Sequence, residues 1–320
     1  MARRRRLDPV PARWLAGALV ALLIVATIVL VVLALQSVQP TTAADTTPTD
    51  QEYSLEVDPT TSASPTAVAP SPSSPSASGP SASAPSAGAA YSAAEARFFS
   101  VGSEGWWRAT AGDCGTTAPV VEHSADGGRT WQDVTPAYRG IGQVASLDAF
   151  AGSEAEMVAA MGASCEVQAL RTFTQGEFWQ PYPEVLTASR YPDFADPAMV
   201  VLPGDDVAAP CAEPRSFRAA GAVVAVECAG TVSVLGADRT WQSLGATDAV
   251  ALAIADGAVL TAAPADGCSG VAVTRWSGDG FATATPLGCA AGVDPAAPLA
   301  LALADGEALV WSGDAIVPAA

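Results

Sequence analysis

The feature that most constrains the fold is a series of short apolar runs, each ended by an Asp-Gly pair. Such runs separated by Asp-Gly are typical of β-hairpins, because both residues tolerate the positive φ angles of tight turns. Two hairpins are predicted directly, at 249–262 around Asp256-Gly257 and at 299–311 around Asp305-Gly306. No stretch of residues 95–320 has the periodicity of an amphipathic helix. We therefore predict an all-β domain over residues 95–320.

The most specific short sequence is a turn in which five residues match the pattern Ser-x-Asp-x-Gly-x-Thr-Trp: Ser124, Asp126, Gly128, Thr130 and Trp131. The Asp carboxylate can accept backbone N–H bonds across the turn, and the Trp can cover the base of the hairpin. The chain thus resembles the Asp-box, or BNR-repeat, β-propellers, which include sialidases, sortilin-type ectodomains and photosystem assembly factors. The resemblance implies that these five residues are structural, because Asp-boxes lie on the outer rim of the blades.

Weaker copies of the motif set the predicted number of blades. Their aromatic ends, Trp131, Trp179, Trp241 and Phe281, are separated by 48, 62 and 40 residues. A period of roughly 40–50 residues is that of propeller blades, so the domain is long enough for about five. The longest interval is predicted to contain an insertion, the Pro-rich stretch 181–214. A β-sandwich with similar hairpins is the rival architecture.

An apolar segment near the N-terminus predicts a transmembrane helix over residues 15–36. Its uncharged run would span roughly 31 Å as a helix, about the thickness of a hydrocarbon core. Five arginines precede the run and no basic residue follows until Arg97. Because positive flanks stay inside, residues 1–14 are predicted to be a cytoplasmic tail and the rest to lie outside the plasma membrane. A cleaved signal peptide is the alternative, although its apolar region is usually shorter and no clear cleavage site follows.

Residues 37–94 form a segment rich in Ser, Thr, Pro and Ala, without charge from residue 59 onward. Such a composition cannot bury enough apolar surface to offset the entropy of ordering, so the segment is predicted to be a disordered linker. Its expected role is to hold the folded head away from the membrane.

Six cysteines all follow the predicted span. An even number in an oxidising compartment indicates disulfides, although six cysteines allow 15 connectivities. Their spacing suggests that neighbours pair, as Cys114–Cys165, Cys211–Cys228 and Cys268–Cys289. Because no pair forms Cys-x-x-Cys, neither thiol redox catalysis nor a zinc site is predicted.

The charge balance bears on the choice of partners. The part beyond the predicted span carries 10 Arg against 32 Asp and Glu, with no Lys or Asn anywhere in the chain. So acidic a surface repels phosphates, which argues against nucleic acid and against anionic lipid headgroups as partners. The bias towards Arg, Ala, Gly, Pro and Val is typical of a high-GC, actinobacterial-like genome.

Candidate catalytic and ligand residues are few. His123 is the only histidine and lacks a Gly-x-Ser-x-Gly companion, so neither a catalytic triad nor a His-rich metal site is predicted. Asp205-Asp206 is more typical of a solvated loop than of a calcium site. The pair Trp106-Trp107 could stack on a carbohydrate, but one of the two is expected in the core. No catalytic, cofactor-binding or metal-binding residue is therefore predicted, and no cofactor.

The leading hypothesis is a surface-tethered, non-enzymatic module that binds a protein or an envelope polymer. The alternative is an exported glycoside hydrolase with acidic residues at the propeller centre, and a purely structural spacer is a third hypothesis. None of the ten arginines beyond the span lies in the Arg-Ile-Pro context of sialidases, so sialidase activity is not predicted. Acids converging in a central pocket would favour the hydrolase, whereas a bare polar face would favour the binding module.

Replacing residues 1–36 with a cleavable signal sequence tests the predicted anchor. We expect the full-length chain in the membrane fraction, resistant to alkaline carbonate, because the apolar run must remain in lipid. The variant should be released into the medium. Recovery of wild-type chain from the medium without its first 36 residues would instead establish a cleaved signal peptide.

Overall fold

The computed structural model describes residues 92–320, which form six antiparallel sheets of consecutive strands. We number the sheets as blades 1 to 6 in chain order. Blade 1 comprises β1 Arg97–Val101, β2 Trp106–Thr110, β3 Val120–Ser124 and β4 Gln132–Asp133. Blade 2 comprises β5 Ile141–Ala151, β6 Glu154–Met161, β7 Glu166–Thr172 and β8 Gln180–Pro181.

The remaining blades follow the same meander with different strand lengths. Blade 3 comprises β9 Tyr191–Pro192, β10 Met199–Val201 and β11 Val207–Ala208. Blade 4 comprises β12 Ser216–Ala220, β13 Val223–Cys228, β14 Thr231–Leu235 and β15 Trp241–Ser243. Blade 5 comprises β16 Ala251–Ala255, β17 Ala258–Ala263, β18 Gly270–Ser277 and β19 Thr283–Ala291, and blade 6 comprises β20 Leu299–Ala304, β21 Glu307–Ser312 and β22 Ala315–Pro318.

The six sheets close into a ring. The first strand of each blade contacts the first strands of the neighbouring blades, from β1 through β5, β9, β12, β16 and β20 back to β1. Six clusters of buried apolar side chains lie within residues 92–320, one between each pair of adjacent blades. Radial sheets that bury both faces against their neighbours define a β-propeller. The predicted propeller is therefore confirmed, and the sandwich is excluded.

Both predicted Asp-Gly hairpins are present. Strands β16 and β17 pair on either side of Asp256 and Gly257, whose φ angles are 49° and 68°. Strands β20 and β21 pair in the same way around Asp305 and Gly306, with φ angles of 51° and 83°. Two consecutive positive φ angles are what a two-residue hairpin loop requires, and Asp and Gly supply them with little strain.

The predicted number of five blades was wrong, because the stretch 181–214 is not an insertion. It contains blade 3, whose strands are only two or three residues long. Strands so short leave no apolar alternation in the sequence. The same stretch holds the six-residue helix α1, Pro183–Ala188, which helical periodicity did not predict. Three short 3₁₀ helices complete the described chain, at Ala93–Glu95, Ala137–Arg139 and Asp279–Phe281.

The predicted membrane anchor lies outside the part of the chain that the structure describes. Residues 92–320 contain no helix long and apolar enough to span a bilayer. The predicted tail 1–14, the predicted span 15–36 and all but the last three residues of the predicted linker 37–94 lie outside the described residues.

Three disulfides connect the six cysteines, and they are the neighbour pairs that the spacing suggested: Cys114–Cys165, Cys211–Cys228 and Cys268–Cys289. The first joins the loop after β2 to the β6–β7 turn and so links blades 1 and 2. The second ends on β13 of blade 4, and the third ends on β19 of blade 5. Each bridge stabilises the fold by restricting the unfolded chain.

An arginine between two indole rings holds blade 6 against blade 1. The guanidinium carbon of Arg108 lies 4.3 Å from the ring centre of Trp131 and 4.9 Å from that of Trp311. Its Nε and Nη2 donate to the two carboxylate oxygens of Glu122, at 2.6 and 3.0 Å. Arg97 adds a second connection, because it lies 4.2 Å from the Trp311 ring and donates to the Gly313 carbonyl at 2.9 Å. Cations over indole faces in a partly dry interface stabilise the closed ring.

Arg108→Ala tests this closure. We expect a loss of about 3 kcal/mol in the free energy of unfolding, because Glu122 loses its partner and two indole rings lose a cation. Chemical denaturation followed by tryptophan fluorescence measures it. Arg129→Ala, which removes an exposed arginine of the same blade, is the control and should cost less than about 0.5 kcal/mol. Equal losses in the two variants would show that Arg108 has no special part in closing the ring.

Candidate binding groove

The five motif residues form one hydrogen-bonded turn between β3 and β4. Asp126 accepts from the Thr130 amide at 2.9 Å, the Thr130 hydroxyl at 2.7 Å, the Ser124 hydroxyl at 2.8 Å and the Arg129 amide at 3.0 Å. These bonds, those of Thr130 first, lower the pKa of Asp126 to about 2. Trp131 Nε1 donates to the Gly128 carbonyl at 3.1 Å. Donors of the turn itself occupy both oxygens of the Asp126 carboxylate. The turn therefore serves to hold blade 1 together.

The weaker copies occupy the corresponding turns of three other blades. Trp179, Trp241 and Phe281 all lie at the junction with the last strand of blades 2, 4 and 5. In the blade 4 copy, Asp238 accepts from the Thr240 hydroxyl at 2.8 Å, and its pKa is lowered mainly by that bond. The 62-residue interval thus passes over blade 3, which has no such aromatic residue at this position.

The residues around the centre of the propeller channel are mainly apolar in type. A cavity of about 270 Å³ lies where the first strands of blades 1, 2, 4, 5 and 6 end, and alanine, phenylalanine and leucine provide most of its lining. Two carboxylates contribute to it, those of Asp148 and Asp256, together with Arg218. Within residues 92–320 no group of three or more His, Cys, Asp or Glu side chains could hold a metal ion.

A wider groove of about 450 Å³ opens sideways from this cavity, between blades 2 and 4. Asp148, Ser146 and Ala220 line both spaces, so the channel cavity and the groove are adjacent. The groove exists because blade 3 is short: β9 has two residues, whereas β5 of blade 2 has 11. The end of blade 2 therefore projects past its neighbour and exposes a sheet face that a full-length blade would cover.

A row of charged side chains crosses this exposed face. Asp148 on β5 pairs directly with Glu156 on β6, and Glu156 pairs with Arg171 on β7. Directly opposed residues project from the same face of a sheet, so all three point into the groove. Nε of Arg171 donates to Oε2 of Glu156 at 2.8 Å, and Nη2 forms an ion pair with the same oxygen at 2.6 Å.

Aromatic side chains flank the charged row. Phe150 and Phe173 are 39% and 51% exposed, which is unusual for phenylalanine, and their ring centres lie 5.7 Å apart. Phe173 lies 6.0 Å from the ring of Tyr182. The guanidinium carbon of Arg171 lies 4.8 Å from the Phe150 ring and 5.5 Å from the Tyr182 ring. Arg171 is therefore fixed on three sides, and it connects the charged row to the aromatic cluster.

The opposite wall and the floor consist of smaller groups. Ala219, Ala220 and Gly221 of blade 4 face the aromatic cluster across the groove, and they leave it wide. The floor includes Glu184 and Ala188 of α1 and the following residues Ser189 and Arg190. The groove thus combines a broad apolar wall with a few fixed polar groups, which is the composition of ligand-binding sites.

Asp148 is the most perturbed carboxyl of the described chain that faces a cavity. Burial and, after it, the neighbouring Glu156 raise its pKa to about 7, although Arg218 acts in the opposite direction. It makes no hydrogen bond within residues 92–320. A half-buried carboxyl with a raised pKa and no hydrogen-bond partner within residues 92–320, lining two adjacent cavities, is a candidate functional group.

The other sequence candidates lie away from this groove. His123 is buried against the Trp107 ring, with ring centres 4.5 Å apart, and burial lowers its pKa. Trp107 is itself fully buried, and Trp106 packs against Phe99, so this pair forms no exposed platform. Asp205-Asp206 lies in an exposed loop.

Sequence reasoning missed the groove residues. Arg171, Arg190 and Arg218 are among the ten arginines beyond the predicted span, and no sequence pattern distinguishes them, Asp148 or Glu156. The available signal was weak: two exposed phenylalanines, Phe150 and Phe173, each two residues beyond a charged side chain on an alternating strand. Neither the pairing of these strands nor their register can be predicted from the sequence.

Comparisons with known proteins do not assign a function to this chain. Comparison of the sequence with known families finds no match, and neither does comparison with curated proteins. No family is assigned. Among solved structures, YCF48 from Cyanidioschyzon merolae is 15% identical with a TM-score of 0.38, over 69% of this chain and 80% of that one. YCF48 bound to D1 peptide is 17% identical with a TM-score of 0.35, over 69% and 76%.

A third solved structure is a Bacteroides ovatus protein, xyloglucan PUL GH43B, which is 10% identical with a TM-score of 0.35, over 69% of this chain and 50% of that one. The identities of all three are below 25% and the TM-scores below 0.5. What this chain binds has to be argued from its own residues.

Asp148→Asn tests the environment of the groove carboxyl. Because its pKa is near 7 in the folded chain and 3.8 without perturbation, the folded chain keeps a proton that the unfolded chain releases. Wild-type stability should fall as pH rises from about 4 to 7 and then level off. The Asn variant lacks this decline and should be more stable at pH 8 by about 2 kcal/mol. Denaturant titrations across this range measure it.

Asp256→Asn, at the other carboxylate of the channel cavity, is the matched control for removal of one negative charge. Parallel pH profiles for wild type and Asp148→Asn would contradict a raised pKa at Asp148.

Proposed function

We propose that this chain is a membrane-tethered propeller of the Asp-box type whose head binds a protein or an envelope polymer outside the cytoplasm. The binding site in this proposal is the groove between blades 2 and 4. The observation that carries it is the exposed end of blade 2, where a charged row and an aromatic cluster stand uncovered above a shortened blade 3.

The tether in this proposal rests on the sequence. The uncharged run within residues 15–36, with arginines only on its N-terminal side, supports a single span with the head outside. The linker 37–94 would then give the head reach. The three disulfides of the head agree with an oxidising compartment.

The Asp-box assignment is supported by the turn at residues 124–131. Asp126 accepts four hydrogen bonds there, and the tryptophan at its end packs with Phe99 at 6.4 Å between ring centres. The related turn around Asp238 repeats part of this pattern in blade 4. These turns stiffen the outer edges of the blades.

The groove has the properties of a preformed binding surface. Arg171 is held by Glu156 and by two rings, so its position costs little entropy when a ligand arrives. Exposed aromatic side chains gain stability when a partner covers them. A full-length third blade would have buried this face, and its polar row would then have been costly.

Binding to cell-envelope fragments tests the proposal. Full-length chain in lipid nanodiscs is mixed with purified envelope fragments and sedimented. We expect wild type to co-sediment, and we expect Phe150→Ala and Arg171→Ala to lose about tenfold in apparent affinity, as central aromatic and arginine contacts do at interfaces. Phe178→Ala is the matched control, because Phe178 is 58% exposed on the same blade but does not line the groove.

Groove variants that co-sediment as well as wild type would show that the groove is not the binding site. Far-ultraviolet circular dichroism of every variant separates loss of binding from loss of fold.

A second candidate function, an exported glycoside hydrolase, is favoured by one observation. Asp148 and Glu156 are direct cross-strand neighbours, and Asp148 retains its proton to about pH 7. A protonated carboxyl beside a second carboxyl is the acid–base arrangement of glycoside hydrolysis. Its weakness is that Oε2 of Glu156 is held by Arg171.

Release of reducing sugar from envelope polysaccharide decides between the two functions. A hydrolase should release sugar at a rate that falls at least about 100-fold in Asp148→Asn, which lacks the general acid. The binding module should release none, and its Asp148→Asn variant should still co-sediment with envelope fragments.

A further inference from the structure

We propose that the ligand of the groove is a neutral glycan chain, bound with a sugar ring against Phe150 and with hydroxyls on the Asp148–Glu156–Arg171 row. This inference rests on the proposed function, because it names the ligand class of the same groove. It is argued from three features of the groove: its two kinds of surface, its charge and the orientation of its wall.

The two kinds of surface match the two sides of a sugar ring. A pyranose ring presents C–H groups on its face and hydroxyls around its edge. The groove places the exposed Phe150 ring beside a row of polar groups, only two residues from Asp148 on the same strand. A sugar lying on the aromatic cluster would direct its hydroxyls towards the charged row.

The polar groups of the row have unused hydrogen-bonding capacity. Arg171 occupies Oε2 of Glu156, and no donor within residues 92–320 is bonded to Oε1. The Asp148 carboxyl makes no hydrogen bond in the same part of the chain. Below about pH 7 it can both donate and accept. Hydroxyl groups, which also donate and accept, are suitable partners for both carboxyls.

The charge of the molecule disfavours an acidic ligand. Residues 92–320 carry 27 Asp and Glu against 10 Arg, so anionic polymers are repelled at long range. The groove itself is nearly balanced near pH 7, because Glu156, Glu184 and a partly protonated Asp148 face Arg171 and Arg190. A strongly cationic ligand therefore gains little there either. A neutral ligand fits both conditions.

The orientation of the groove wall disfavours an extended peptide. Peptides that bind to sheets usually pair with an open strand edge and use its backbone groups. Blade 2 presents the face of β5, β6 and β7 to the groove, and the backbone groups of β6 are paired on both sides. Recognition must therefore use the side chains of blade 2. Recognition by side chains suits a sugar better than it suits the backbone of a peptide ligand. The volume of about 450 Å³ lies within the usual range for small ligands.

Titration calorimetry with defined oligosaccharides tests the inference. Full-length chain in phosphatidylcholine nanodiscs is titrated with neutral hexamers of β-1,4-linked glucose, xylose and N-acetylglucosamine and of α-1,5-linked arabinose. The hexamer of galacturonic acid is the anionic comparison. We expect at least one neutral hexamer to bind, with an affinity that changes less than about twofold between low and high salt. Galacturonate should bind at least about tenfold more weakly than that hexamer at low salt.

Variants assign the binding to the groove. Phe150→Ala and Glu156→Gln should weaken binding of that hexamer by about tenfold, whereas Phe178→Ala should leave it within about twofold of wild type. Glu156→Gln keeps the shape of the side chain, and circular dichroism checks that each variant is folded.

Two outcomes separate this inference from the proposed function. If no neutral hexamer binds although envelope fragments still bind through Phe150, the groove is a binding site for another ligand class and the glycan inference is wrong. If neither hexamers nor fragments depend on Phe150, the proposed function itself fails. Binding of galacturonate in preference to all neutral hexamers would also overturn the inference.

Discussion

Burial of apolar side chains between adjacent blades is the interaction on which the rest of the structure depends. Each sheet has two faces, and each face is covered only by a neighbouring blade, so the ring is stable when it closes. Closure within residues 92–320 brings β1 beside β20. It is supported there by Arg108 between Trp131 and Trp311. Because every blade protects its neighbours, shortening one blade exposes part of the next.

The groove forms because blade 3 is short and leaves part of blade 2 uncovered. The short strands of blade 3 still supply apolar residues to the cores on both sides, including Tyr191 and Val200. They do not reach the end of β5, where the face of blade 2 changes from apolar to charged. The boundary between core and groove thus follows the length of blade 3. The same boundary explains the raised pKa of Asp148, which lies at the edge of the core beside Glu156.

The sequence predicted the parts of the fold that local chemistry determines. Asp256-Gly257 and Asp305-Gly306 specify their turns through positive φ angles, and both hairpins formed as predicted. Blade 3 was missed because its strands, two or three residues long, are too short to show a periodicity. The charged row was missed because it depends on register: a register shift between Ala149 and Ala151 separates the Asp148–Glu156 pair from the β5–β6 turn, so the pairing cannot be counted from the turn.

The position of the first strand has a mechanical consequence. The chain enters the described head immediately before β1, which lies at the centre of the ring and pairs with β2. A pull on the N-terminal side therefore acts on an inner strand, and not on a strand at the rim. Arg97 at the start of β1 is bonded to Gly313 and lies on Trp311, so the force passes directly into blade 6. Load is thereby shared across the closure of the ring, whereas a pull on a rim strand would peel it away one hydrogen bond at a time.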